Sequence, residues 1–212
     1  MKKKLVAVAL ILAISLSFVA YLTYTRSVSG EQQTSYPALT VFYEDGTNST
    51  FTGQANAPQL SFIDYALNKK VTKVLVEFHV IAAYTGVLSS YSVSGASQGL
   101  LYDVSTNQQI MSLWGPTSWG PYTGTTLVSG QDKVVWSSEI TVASIQAMYT
   151  NWQHGKQYYY TVYCPTPISM TLNLNDQSPT LTAMPTRVAW QFTYNVDASF
   201  TSLSAYFSGT GQ

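Results

Sequence analysis

An all-β fold, an immunoglobulin-like or jelly-roll-like β-sandwich with one short inserted helix, is the class this sequence predicts. Three observations point to it. Apolar and polar side chains alternate in strand-length runs, turn-forming pairs separate those runs, and one stretch alone carries matching helix start and stop signals. An apolar N-terminal signal or anchor helix precedes the sandwich, so the chain divides into residues 1–30, an extended segment 31–44 and a sandwich 45–212. About 180 residues after the first 30 suffice for one good-sized core.

The first segment places Lys2, Lys3 and Lys4 ahead of an uncharged run from Leu5 to Thr25. A secretory signal has an apolar region of about 7–15 residues, whereas a bilayer span needs about 20, so this run serves either purpose. Small residues at Ser27-Val28-Ser29 or Val28-Ser29-Gly30 offer a cleavage site. Cleaved or retained, the lysines stay inside and the body goes outside, because only Arg26 follows the run.

Ala38 to Glu44 and Ser49 to Gly53 read as strands parted by the Asp45-Gly46 turn. The clearest strand is 73–84, with Val74, Val76, Phe78, Val80, Ala82 and Tyr84 on one face and Lys73, Leu75, Glu77, His79 and Ile81 on the other. Leu88 to Ser94, Leu100 to Val104, Gln109 to Trp114 and Lys133 to Ser138 follow, parted by Ser94-Gly95, Thr106-Asn107 and Ser129-Gly130. Thr141 then caps a helix, Ile140 and Ile145 sit where a hydrophobic staple would, and Gly155 follows its end. Ile145, Met148, Tyr149 and Trp152 fall on one face of that helix and read as core packing. Gln157 to Tyr163, Ile168 to Leu174, Arg187 to Val196 and Ser199 to Phe207 complete the set, with the Arg187 strand expected to be central.

Charge excludes one class of partner. Beyond residue 30 the body holds six basic and ten acidic residues, a formal net charge of −4, and offers no basic stripe for nucleic acid. Charged residues make up 9% of the chain, against about 25% in ordinary domains, while Ser and Thr number 25 each. A surface hydrated by hydroxyls changes little in charge on acidification, which suits an acidic exterior.

Catalytic chemistry finds little support. Glu77 and His79 share a strand face, and the simpler reading is a solvated pair, since His154 is the only other imidazole. No histidine follows Cys164, so a blue-copper site fails, and a lone cysteine makes no intrachain disulfide. Glu77 and Glu139 are the one pair of glutamates in strand contexts that a glycosidase could use, with nothing tying them together. No serine elbow or phosphate loop occurs. No catalytic residue, metal or cofactor is expected.

Two surface features remain. Trp114-Gly115-Pro116-Thr117-Ser118-Trp119-Gly120-Pro121-Tyr122 reads as an open loop projecting Trp114, Trp119 and Tyr122 for subunit or glycan contact, or folding those rings back over the sandwich end. Asn48-Ser49-Thr50 is an N-glycosylation sequon beside a turn, which makes Asn48 the expected glycan site of an exported chain.

An export segment followed by a hydroxyl-rich sandwich resembles the subunits of archaeal thread filaments, which are similar in fold to bacterial type I pilins. The resemblance lies in architecture and composition over the whole chain. It implies a head-to-tail homopolymer in which each subunit donates its N-terminal segment to its neighbour's sheet. Here that donor would be Glu31 to Glu44, with Leu39, Val41 and Tyr43 as the inserted side chains. Archaeal type IV pilins compare less well, because Lys4-Leu5 lacks the small residue their processing cut requires. The expected function is an extracellular structural subunit of an adhesive surface filament. The alternatives are a membrane-anchored ectodomain or viral envelope protein contacting glycan, and a secreted acid-stable hydrolase.

Overall fold

The computed structural model describes residues 29–52, 61–66, 71–175, 177–183, 187–194 and 200–208. The apolar segment 5–25 lies outside them. Twelve strands appear among these residues: β1 (Ser29–Tyr43), β2 (Asn48–Thr52), β3 (Ser61–Ala66), β4 (Val71–Thr85), β5 (Leu88–Asp103), β6 (Gln108–Gly124), β7 (Asp132–Thr141), β8 (Gln157–Tyr163), β9 (Ile168–Leu174), β10 (Thr180–Ala183), β11 (Arg187–Tyr194) and β12 (Phe200–Ser208). One helix, α1 (Val142–Met148), follows β7.

Two antiparallel sheets face each other. The first has the order β2-β1-β4-β7; the second runs β10-β9-β5-β8-β11-β12-β3, with β6 on the other edge of β5. One apolar core lies between them. Val74, Val76, Phe78, Val80 and Ala82 of β4 are almost fully buried, as are Leu39 and Val41 of β1, and they meet Tyr158, Tyr160 and Val162 of β8 and Met170, Leu172 and Leu174 of β9. The two-residue period of 73–84 therefore does what it predicts: one face is core, the other carries Lys73, Glu77 and His79. β11 lies between β8 and β12, as its alternation implies; Asn195 and Val196 are outside the described residues.

β5 is one strand of 16 residues, where turn chemistry at Ser94-Gly95 had implied two. Its first half pairs with β9 (Leu88–Ser94) and its second with β8 (Gln98–Asp103), end to end on one edge. β6 follows the opposite edge throughout, with register shifts near Gly95 and Gly99. Bulges of this kind bend a ribbon and let one strand serve two parts of a sheet. Gly95 is thus a bend inside a strand rather than a turn between two. β3 and β10 were not legible as strands, being short or flanked by proline and lysine pairs.

Helix α1 closes one end. Thr141 caps it, its Oγ1 accepting from Ser144 N at 3.0 Å, and Ile140 and Ile145 are both buried as the staple requires. The helix stops at Met148, one turn earlier than the apolar stripe implies, because Tyr149 is already extended. Met148 is therefore 48% exposed and outside the core. Tyr149 and Trp152 still pack inward from the following segment, edge-on to each other and to Tyr158. Gly155 belongs to a separate turn, where Lys156 N donates to Gln153 O.

Candidate functional site

The segment expected to leave for a neighbour occupies its own sheet. β1 is hydrogen-bonded on both sides, to β2 through Ala38–Phe42 and to β4 from Ser29 to Tyr43. Leu39 and Val41 are fully buried, Tyr43 nearly so, and Thr40 on the opposite face hydrogen-bonds Thr50 at 2.9 Å. The turn to β2 is tight: Gly46 N donates to Tyr43 O, Tyr43 N to Thr47 O, and Asp45 accepts from both the amide and the hydroxyl of Thr47. Gly46 has φ +80°, a conformation that favours glycine. Without β1 the core beside the apolar row of β4 from Val74 to Ala82 would open to water along one flank, and the β4 backbone would lose one edge of partners.

The aromatic segment Trp114 to Tyr122 is not a loop. It is the second half of β6, and its rings lie across glycines of β5. Trp119 is paired with Gly95 and only 6% exposed, while Trp114 is paired with Gly99 and touches Trp136, which stacks on Phe78 at 4.8 Å. A Cβ on Gly95 would sit 2.4 Å from the Trp119 ring and one on Gly99 2.7 Å from the Trp114 ring. Of the three predicted contact rings only Tyr122 is strongly exposed, at 52%, stacked on Trp119 at 6.1 Å. The physical reason is that a hairpin folding back at Thr106-Asn107 lays each tryptophan over a residue with no side chain. That pairing was readable in principle from two glycines four apart and two tryptophans five apart.

His79 has more company than the sequence implied. Its Nδ1 lies 2.8 Å from Asp132 Oδ2, Tyr36 stacks on its ring at 4.7 Å, and its buried Nε2, which makes no hydrogen bond, stands 3.8 Å from Glu77 Oε2. These groups come from β1, β4 and β7, brought into one row by strand pairing. Burial, the hydrogen bond to Asp132 and the nearby carboxylates push the Tyr36 phenol up to about 12. The two carboxylates approach opposite nitrogens, so no single point is within ligand distance of all three groups. Among the described residues no cluster of three histidine, cysteine or acidic side chains is arranged to hold a metal ion. Glu139, the Cα partner of Leu75, is a diagonal neighbour of Glu77 on the same face of β4 and β7, and its carboxylate is paired with Lys73 at 2.7 Å.

Asn48 is exposed, the first residue of the edge strand β2. Cys164 is buried at 1% exposure. Asp103, unremarked in the sequence, pairs with Lys156 at 2.5 Å and accepts from Ser105, and these bonds hold its carboxyl down at about 2. No helix among the described residues is long and apolar enough to cross a membrane.

No protein-family model matches this chain, and no curated protein does. Among solved structures, the beta-glucuronidase of Parabacteroides merdae is 9% identical, with a TM-score of 0.20, over 79% of this chain and 27% of its own. The chain thus spans about a quarter of that enzyme's length.

Proposed function

We propose that this chain is an extracellular structural protein that builds a surface filament by exchange of its first strand. The observation that supports the reading is the position of β1. It follows the export segment directly, yet it fills an interior slot between β2 and β4, where any identical strand would satisfy the same partners. A closed monomer and a polymer then differ only in whose β1 fills the slot, which is the logic of domain swapping. The 44–47 turn is the hinge such an exchange must open. Tyr122 and a glycan on Asn48 remain exposed for contact and adhesion.

Leu39 and Val76 are Cα partners across β1 and β4, at a spacing a disulfide can bridge. The double variant Leu39→Cys, Val76→Cys, oxidised as a monomer, should stay monomeric by light scattering and form no filaments in electron micrographs until reduced. Filaments from the oxidised form would rule out exchange of β1.

A second reading, a membrane-anchored ectodomain, is favoured by one observation: β1 already completes its own sheet, so the fold needs no neighbour. It requires that residues 5–25 be retained.

A further inference from the structure

The β1–β2 hairpin carries the one N-glycosylation sequon of the chain, Asn48-Ser49-Thr50, and strand pairing puts an aromatic ring beside it. Tyr43 N donates to Thr47 O and Gly46 N to Tyr43 O, so Tyr43 and Thr47 close the hairpin as a hydrogen-bonded pair. Phe42 and Asn48 are the next Cα partners. They form the non-hydrogen-bonded kind of pair, whose side chains stand closest, with Cβ atoms about 4.5–5.5 Å apart. Both belong to the outer face of the sheet: Thr40 and Thr50, two residues further along each strand, hydrogen-bond through their hydroxyls at 2.9 Å, while Leu39, Val41 and Tyr43 take the buried face. Phe42 is half-buried and Asn48 exposed.

Lys73, the Cα partner of Phe42 on β4, places its Nζ 4.7 Å from the centre of the Phe42 ring, and Glu139 holds that ammonium at 2.7 Å. Asn48, Phe42 and Lys73 thus make one row across β2, β1 and β4, with the cation on one flank of the ring and the sequon asparagine on the other. A phenyl face is negative and apolar, and the C–H face of a pyranose is its complement; covering the ring removes apolar surface from water. We infer that Phe42 is the platform for the first sugar of an Asn48 glycan, which packs its C–H face on the ring and ties β2 to β1 across the hairpin. The sugar comes from a lipid-linked sugar phosphate: Asn48 Nδ2 bonds the anomeric carbon and loses one proton, and the phosphate leaves with the electrons of the C–O bond. The inference rests on the reading that Asn48 is glycosylated. It does not rest on strand exchange, since the row is the same whichever chain supplies β1.

The test compares thermal midpoints of the glycosylated chain and of Asn48→Gln, both secreted by the same glycosylating host, in three backgrounds. With Phe42 the glycan should raise the midpoint by about 2–4 °C. The rise should persist in Phe42→Tyr, which keeps the ring, and vanish in Phe42→Leu, which keeps an apolar side chain without one. Ring protons of the first sugar should also show upfield NMR shifts in the parent, a signature of the aromatic face that a change in stability alone does not produce. An equal rise with Phe42→Leu, or unshifted sugar protons in the parent, overturns the platform. Mass spectrometry showing native Asn48 bare overturns the glycosylation beneath it, and the platform with it, and leaves strand exchange standing.

Discussion

Gly95 shows how much one missing methyl group can decide. The Trp119 ring lies where its Cβ would be, so Gly95→Ala forces either an indole that has little room to move or the strand behind it. Overpacking of this kind costs about 1–3 kcal/mol, and the urea midpoint should fall accordingly. Gly115 in the same strand has open space and a φ outside the left-handed region, so Gly115→Ala should change stability by less than about 0.5 kcal/mol. Equal effects would mean that the Gly–Trp pairs do not order the ribbon. Asp103 gives the second residue-scale expectation. Lys156 and Ser105 lower its carboxyl from an ordinary value of 3.8 to about 2. A depressed acid contributes stability that is complete above its unfolded value and lost as pH falls through its folded value. Wild-type stability should therefore drop between about pH 4 and pH 2 in a way that Asp103→Asn does not, as read from urea midpoints across that range.

At the scale of elements, local signals held where local physics dominates. The Thr141 cap and the Ile140–Ile145 staple are both present, and Thr141→Ala should cost about 1 kcal/mol in thermal denaturation. The helix end was misread because Met148, Tyr149 and Trp152 keep an apolar pattern beyond the point where the backbone becomes extended. Packing against Tyr158 rewards those rings whether or not they are helical. The β5–β6 ribbon failed in the opposite sense. Gly, Pro and Ser, ordinarily turn formers, predict strand breaks at Ser94-Gly95 and over Trp114 to Tyr122. Here glycine instead admits a cross-strand aromatic, and proline sits on a strand with a single ladder partner. Bulges and prolines also blunt the outer edge of β6 against strand addition, which turns attention to β1.

For the whole molecule, the expectations of export and of no nucleic-acid partner rest on composition and the first 30 residues, whose chemistry does not depend on what they touch. The period-two runs likewise point to an all-β chain and to the face of β4 that is buried, because alternation is a property of the strand itself. Strand order could not be read that way: pairing is chosen by non-local registry, and many orders bury the same faces equally well. Only the tertiary structure put β1 inside its own sheet and joined Tyr36 and Asp132 to His79. Each of these joins residues tens of positions apart, and separation along the chain carries no signal until the backbone has closed the distance.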